Sequence, residues 1–291
     1  MYLPKKVTIV DVSPRDGLQS ETQFVPTEKK IGLIKSLIDA GIPKIELTSF
    51  VSPKWVPQMA DAEDLVHAVG DAPVAFQVLI PNEKGYERAR LTGKIKEITI
   101  VVAATETLNR RNVNMSIEDS MRQFARIAER ARADGVRVRG SIGVAFVCPY
   151  EGRVSLDHSS ALADRLFGDG ADEVALADTL GAAVPNQVFE LFDRVKQKWP
   201  EKALAGHFHD TEQLALSNIL AAMQAGADVF DASVGNLGGC QFTKGAKGNV
   251  ATERVVYMLQ GMGIETGIDL QRLAEVAAAA KTLVASPTGQ H

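Results

Sequence analysis

Two histidines separated by one residue, His207 and His209, end an apolar run in the segment "LAGHFHDT". If this run is a β-strand, both imidazoles lie on one face, because side chains alternate along a strand. Either one alone could be an ordinary core histidine satisfied by a hydrogen bond. As a pair they favour a metal site, because two imidazole ligands leave coordination positions open for a substrate. Asp210, on the opposite face, is expected to support these ligands from behind.

A carboxylate that could complete this ligand set follows the first apolar run of the chain, in "SPRDGLQSE". We predict Asp16 as the third ligand. Nitrogen and oxygen ligands without a thiolate favour Mg²⁺ or Mn²⁺, with Zn²⁺, Co²⁺ and Fe²⁺ as alternatives. The neighbouring Arg15 is either half of a surface ion pair or, beside a metal, a cation that stabilises an oxyanion formed during the reaction.

A glycine-rich stretch near the C-terminus, "GNLGGCQFTKGAKGN" (residues 235–249), contains five glycines and Cys240. A loop of this length in a compact domain is typically a linker or a lid, and its position favours a lid. The Cys240 thiol would then reach the site as an acid or a nucleophile when the lid closes. The other cysteine, Cys148, is predicted to be a packing residue.

The elements that must position these residues alternate regularly between strand and helix. Short apolar runs indicate eight strands, and each is followed by a segment with helical periodicity. The runs are 7–13, 44–50, 74–81, 97–104, 137–147, 173–179, 203–210 and 228–234. Eight such units predict a (β/α)8 TIM barrel, one catalytic domain over residues 1–291, with an extra helix over 269–284. The alternative is an open doubly wound sheet. It is disfavoured because no glycine-rich dinucleotide-binding turn follows the first strand of this sequence.

Catalytic groups of such barrels lie at the C-terminal ends of the strands and in the loops that follow. The predicted strand ends deliver five polar groups besides the histidines to that mouth. They are Asp11 and Asp16 from the first strand, Glu46 from the second, Asp178 from the sixth and Asn249 after the eighth.

Composition narrows the classes of partner and compartment. The net charge is −4 and the sequence pI about 5.8, so no basic surface for nucleic acid is indicated. Two cysteines do not form a disulfide framework and fit a reducing compartment. The N-terminal segment matches neither a signal peptide nor a membrane span. We therefore predict a cytoplasmic protein with no membrane or nucleic-acid partner; a dimer or tetramer of identical chains is compatible with this.

Several longer motifs resemble the 3-hydroxy-3-methylglutaryl-CoA lyase family, from about residue 5 to residue 284. The matching segments are "SPRDGLQSE", "IELTSFVSPKWVPQMAD", "NVNMSIEDS", "CPYEG", "ADTLG", "HFHDT" and "DASVGNLGGC" with "GAKGNVATE". The resemblance implies a metal-dependent TIM-barrel lyase that cleaves 3-hydroxy-3-methylglutaryl-CoA to acetoacetate and acetyl-CoA, in leucine degradation and ketone-body metabolism.

The resemblance also implies roles for individual residues. It implies that Mg²⁺ or Mn²⁺ is held by Asp16, His207, His209 and Asn249, and that Arg15 stabilises the enolate of the departing acetyl-CoA. Proton-handling positions match Cys240, Glu46 and Asp178. For the CoA arm the candidates are Lys54 and Trp55 with Arg110 and Arg111, although exposed basic pairs are commonly just solvated.

Neighbours of these positions depart from the family pattern. Glu212-Gln213-Leu214 stand where the family usually has Tyr-Gly-Gln, and Gln241-Phe242 stand where it has Pro followed by an aromatic residue. Gly235-Asn236 replace Ala-Gly, and Ala177 replaces Gly. These departures keep related substrates open, namely citramalyl-CoA or a longer-branched glutaryl-CoA. A condensing synthase and a relative that binds metal or CoA without turnover are the remaining alternatives.

Overall fold

The structure, a computed structural model, describes residues 3–239 and 248–284. Eight parallel strands close into a barrel in the order β1-β10-β9-β8-β5-β4-β3-β2, which confirms the predicted TIM barrel. The barrel strands are Thr8–Asp11 (β1), Lys44–Ser49 (β2), Ala75–Leu79 (β3), Glu97–Ala103 (β4), Arg137–Gly143 (β5), Glu173–Asp178 (β8), Ala203–Phe208 (β9) and Val229–Ala232 (β10). The sixth, seventh and eighth predicted strands are therefore β8, β9 and β10.

The helices cover the outside of the barrel. They are Thr27–Asp39 (α1), Ala62–Val69 (α2), Glu83–Leu91 (α3), Glu106–Val113 (α4), Ile117–Ala133 (α5), Leu156–Gly168 (α6), Pro185–Lys198 (α7), Ala215–Gln224 (α8), Thr252–Gly261 (α9) and Leu270–Val284 (α10). The last of these is the predicted extra helix, and it packs on α1, α9 and the segment after β10. In the described parts of the chain, no helix is both long and apolar enough to span a bilayer.

Two local elements after β4 and β5 were not expected. The segment before α5 contains α4, an additional helix capped at its C-terminal end by Asn114 in the left-handed region (φ 57°). Its polar sequence has no apolar stripe, but the buried side chain of Asn109 anchors it by donating to Met115 O and Ser120 Oγ and accepting from Ala103 N. After β5, Val147–Cys148 (β6) and Gly152–Arg153 (β7) form a small antiparallel hairpin.

The lower part of the barrel interior carries charged side chains where such barrels usually pack branched apolar ones. Lys44 contacts Glu97, and its Nζ lies 3.8 Å from Glu173 Oε1. Arg139 places Nε 3.2 Å from the same Glu173 oxygen and Nη2 2.9 Å from Asp231. All five side chains are buried, so each charge is compensated by a neighbour rather than by water.

The first and last strands of the barrel meet, and the segments that follow them contact each other at the mouth. β1 pairs with β10, which places the turn after β1 beside the segment after β10. Downstream, Asn249 forms an isolated bridge with His209, and Ala251 forms one with Ser233. The residues expected at the site therefore reach the mouth from both termini.

Candidate metal centre

Arg15 and Asp16 lie on a single π-helical turn, Ser13–Gly17, that leaves β1 at the mouth. The Gly17 N–H donates to Val12 O at 3.1 Å and closes the turn. A Cβ on Gly17 would lie 2.9 Å from Ser233 Oγ and 3.0 Å from Leu237 Cβ, so only glycine lets the turn pack this closely on the segment after β10. Isolated π-turns of this kind occur frequently at functional sites.

His207 and His209 lie at the end of β9 with both rings at the mouth. Between them, Phe208 faces the surrounding helices and stacks 6.2 Å from Phe192 of α7. The two imidazole rings have centroids 5.2 Å apart, and both residues are buried. The alternation expected of a strand therefore places the imidazoles together.

Asp16 and the two histidines converge on one point. One ligand atom from each of the three residues lies within 4.8 Å of the others, and His209 Nε2 is 3.8 Å from Asp16 Oδ2. Two imidazole nitrogens and a carboxylate oxygen are a donor set that suits a divalent cation and leaves coordination positions open. The predicted ligands thus fit a cation in both chemistry and spacing.

Asn249 adjoins this cluster through its amide nitrogen. Nδ2 donates to Asp16 Oδ2 at 2.7 Å and lies 3.3 Å from Leu237 O. A metal would instead use the amide oxygen, which these two contacts leave free. Asn249 is therefore placed beside the ligands, and its own role as a ligand remains a prediction.

Arg15 lies between two carboxylates. Its Nε donates to Glu46 Oε2 at 2.5 Å, and a second nitrogen contacts Asp16. Burial alone would raise the pKa of Asp16, but the charge of Arg15 and the contacts with the two histidines together outweigh burial and hold this pKa well below its ordinary value. Burial raises the pKa of Glu46 despite the same arginine. The two carboxylates therefore differ in acidity, with Asp16 the better anionic ligand and Glu46 the stronger base.

Asp178 is at the end of β8, as predicted, but its carboxylate is fully engaged by backbone donors. Oδ1 accepts from Gly181 N at 3.0 Å and Ala182 N at 3.1 Å, and Oδ2 accepts from Ala183 N at 2.9 Å. Burial raises the pKa of this group. The geometry gives Asp178 a structural role in the loop after β8, and its predicted role in proton transfer stays a prediction.

Asp210 also serves a loop instead of the ligands. Its Oδ1 accepts from Ala215 N at 3.1 Å, at the start of α8, so the expected support of the histidines is wrong. Support for His207 comes from Asp231 of β10, whose Oδ2 lies 3.0 Å from His207 Nδ1. Sequence reasoning missed Asp231, although it is paired with His207 in the register of neighbouring strands. That register follows from barrel closure and is invisible in a single segment.

The predicted lid residue Cys240 lies outside the described residues, which resume at Gly248. The two flanks are at the mouth: the Gly239 N–H lies 3.4 Å from Ser20 Oγ, and the Asp210 N–H donates to Gly248 O at 3.0 Å. Cys148 is buried, with Sγ 3.2 Å from Thr105 Oγ1, in keeping with packing.

The candidates for the CoA arm lie on loops and helices that leave the barrel at the same end. Lys54 and Trp55 follow β2, and Trp55 is 84% exposed. Arg110 and Arg111 lie on α4 after β4, where Arg111 stacks 4.4 Å above the Tyr150 ring. No hydrogen bond or ion pair among the described residues joins them to the ligand cluster, and their role in binding CoA stays a prediction.

The sequence profile of the HMGL-like family matches residues 6–279. The chain belongs to this family. A rat relative named hydroxymethylglutaryl-CoA lyase, mitochondrial, is 49% identical over 274 residues, which are 94% of this chain and 84% of the relative.

Solved structures of the family superpose on the whole barrel. An HMG-CoA lyase from Brucella melitensis has a TM-score of 0.92 at 44% identity and covers 96% of this chain and 99% of its own. An HMG-CoA lyase from Acinetobacter baumannii, in complex with coenzyme A and 3-methylmalate, has a TM-score of 0.92 at 37% identity over 99% of this chain and 95% of its own. Family membership thus extends over the barrel and its mouth.

Proposed function

We propose that this chain is a divalent-metal-dependent lyase that cleaves 3-hydroxy-3-methylglutaryl-CoA to acetyl-CoA and acetoacetate, with the whole chain as one catalytic domain. One observation carries the proposal: Asp16, His207 and His209 converge at the mouth with Arg15 beside them, in a chain of the HMGL-like family. Relatives named as HMG-CoA lyases at up to 49% identity support the substrate.

Asp16, His207 and His209 would hold the cation, with the Asn249 amide oxygen as a fourth ligand. Held by these residues, Mg²⁺ or Mn²⁺ would supply Lewis acidity that makes a substrate hydroxyl easier to deprotonate. Carboxylate and amide oxygens favour these two ions over softer ones.

The chain's own residues account for the proton and charge movements. The bond between C2 and C3 of the acyl group breaks when the tertiary hydroxyl at C3 loses its proton. The electron pair of that bond then passes to C2 and the thioester carbonyl. C3 becomes the ketone of acetoacetate, and the departing fragment is the enolate of acetyl-CoA.

Glu46 is the better placed of the two predicted bases, because its carboxylate has Arg15 as its partner at the mouth while Asp178 is bonded to a loop. Arg15 would bind the enolate oxygen, since a guanidinium preorganised between carboxylates stabilises charge where it forms. Cys240 would protonate C2 of the enolate and complete acetyl-CoA. A lid formed by residues 235–249 would exclude water while the enolate exists.

For the CoA arm we propose Lys54, Trp55, Arg110 and Arg111. The two arginines offer cations for phosphate groups, and the exposed Trp55 ring offers a face for the adenine base. The bound coenzyme A in the related lyase from A. baumannii supports a CoA site on this fold.

One departure next to the histidines is compatible with the turn that a glycine would form. Gln213 occupies the left-handed region (φ 60°) at the position where the family usually has glycine. The turn therefore keeps its shape at a cost of about 1 kcal/mol. This favours turnover over a relative without activity, and it leaves citramalyl-CoA or a longer-branched glutaryl-CoA as the alternative substrate.

An acetyl-CoA release assay tests this function. The purified protein, loaded with Mg²⁺ or Mn²⁺ to a measured stoichiometry, is given 3-hydroxy-3-methylglutaryl-CoA, citramalyl-CoA and a longer-branched ester. We expect the highest kcat/KM with the first substrate. Metal-loaded protein that releases acetyl-CoA from none of them contradicts the proposal, and net condensation of acetyl-CoA with a keto acid would favour a synthase.

The cellular setting stays a prediction. The buried, unpaired Cys148 fits a reducing compartment such as the cytoplasm. Leucine degradation follows from the proposed substrate, and gel filtration with light scattering distinguishes a monomer from a homo-oligomer.

A further inference from the structure

The two histidines of the metal centre are held very differently behind the site. His207 Nδ1 lies 3.0 Å from Asp231 Oδ2, and that carboxylate also accepts from Arg139 Nη2 at 2.9 Å. The buried Nδ1 of His209, in contrast, has no hydrogen-bond partner among the described residues. Only His207 is therefore connected to the charged network in the barrel interior.

Arg139 determines what Asp231 can do. A guanidinium only donates hydrogen bonds and stays protonated in proteins. Asp231 Oδ2 accepts from Arg139 Nη2 and meets His207 Nδ1 as well, so the geometry makes this oxygen the acceptor in both contacts and assigns the proton of the second contact to His207 Nδ1. Arg139 is held in turn by Glu173, 3.2 Å from its Nε, which fixes the guanidinium between the two carboxylates.

We propose that Asp231 and Arg139 are positioning residues that lock His207 as the Nδ1–H tautomer and thereby keep Nε2 unprotonated for the cation. This inference rests on the proposed metal site and deepens it. Imidazole ligands of metals commonly donate their second N–H to a carboxylate in this way. Within the described ranges His209 Nδ1 meets no such carboxylate, so the network should set the tautomer of one ligand and leave the other adjustable.

Asp231→Asn is the informative substitution. Because Arg139 can only donate, it should draw the amide oxygen of the new side chain and turn the amide nitrogen toward His207. An NH₂ group facing Nδ1 favours the opposite tautomer, with the proton on Nε2, where it blocks metal binding. We expect Mn²⁺ affinity to fall about 10- to 100-fold, the usual cost of losing such a partner.

Asp61→Asn is the matched control. Asp61 is also a buried carboxylate held by a cation, with Lys30 Nζ 2.9 Å from its Oδ1, but it lies between α1 and the loop after β2 and contacts none of the proposed ligands. It should lower stability while leaving Mn²⁺ affinity within about twofold of the wild type, whereas Asp231→Glu, which retains a carboxylate, should restore part of the lost affinity.

Long-range ¹H–¹⁵N NMR of the histidine rings provides the direct test, on metal-free protein at about pH 9, well above the ordinary imidazole pKa. We expect His207 with its proton on Nδ1 in the wild type and on Nε2 in Asp231→Asn. Wild-type His207 protonated on Nε2 would overturn the proposal, and this readout does not depend on whether the variant folds.

Unchanged Mn²⁺ affinity in folded Asp231→Asn would also overturn it. Both measurements are made without substrate, so they are independent of the acyl group. Failure to cleave 3-hydroxy-3-methylglutaryl-CoA would end the proposed function and leave this inference standing, whereas loss of the tautomer difference would do the reverse.

Discussion

The barrel interior contains two charged layers that differ in how they are completed. In the lower layer, Lys44 and Arg139 each lie between two carboxylates, so both cations are paired within the layer. At the mouth, a single guanidinium serves both Asp16 and Glu46, while the two imidazoles face the same space. Buried charge that is fully paired specifies structure, and buried charge that is left open specifies a ligand. Asp231 belongs to both layers and connects them.

We expect the largest loss of metal binding and activity when a proposed metal ligand at the mouth is removed. Asp16→Ala or His207→Ala should abolish stoichiometric metal binding and lower kcat/KM by about 10³-fold or more, because the metal-assisted step is lost. Inductively coupled plasma mass spectrometry and the acetyl-CoA assay measure the two effects. His158→Ala, at an exposed position on α6, is the control. Retained metal stoichiometry in both ligand variants would refute the ligand assignment.

Lys44→Met should lower stability and leave metal binding unchanged, because it breaks the Lys44–Glu97 ion pair, which does not include a proposed metal ligand. Leaving Glu97 buried without its partner should cost about 3–5 kcal/mol of unfolding free energy. Metal affinity of the folded fraction should be unchanged. Urea denaturation and calorimetric Mn²⁺ titration report on the two properties separately. A Lys44→Met protein of normal stability but weakened Mn²⁺ binding would erase the distinction between the layers.

Cys240→Ser tests whether one residue contributes to catalysis without contributing to metal binding or to stability. We expect kcat to fall about 10²-fold, because a hydroxyl is a much poorer acid than a thiol, with metal stoichiometry and unfolding temperature preserved. The matched control is Cys148→Ser, at the buried thiol beside Thr105. Equal kcat for Cys240→Ser and the wild type would demote Cys240 to a packing residue.

Asp178→Asn tests a carboxylate that lies at the mouth but, unlike Asp16 and Glu46, accepts hydrogen bonds from backbone N–H groups. Loss of charge-assisted acceptance from Gly181, Ala182 and Ala183 should lower stability by about 1–2 kcal/mol. Thermal unfolding measures this, and the change in kcat should be smaller than for Cys240→Ser. A 10³-fold drop in kcat at unchanged stability would support a role in proton transfer.

Much of the fold and the ligand set was predictable from the sequence because both depend on local periodicity. Alternation placed His207 and His209 on one face, and the repeated strand–helix units placed Asp16 and Glu46 at the same mouth. α4 was not predictable, because tertiary hydrogen bonds of one asparagine hold a helix without an apolar face. Asp231 was missed for a related reason: its partners are 24 and 92 residues away in the chain.

The roles of Asp178 and Asp210 illustrate a further limit. Both follow apolar strands and both look like site residues in the sequence. Only the conformation of the following loop decides whether a carboxylate meets backbone N–H groups or open space, and loop conformation has no periodic signal.

The pairing of β1 with β10 means that this enzyme's centre is assembled from segments at opposite ends of the barrel sequence. Asp16 emerges early, and its contact Asn249 lies 233 residues later. Until the last strand docks, the first acidic turn has nothing to pack its Gly17 against. The cation site therefore depends on residues from both the first and the last strand of the barrel.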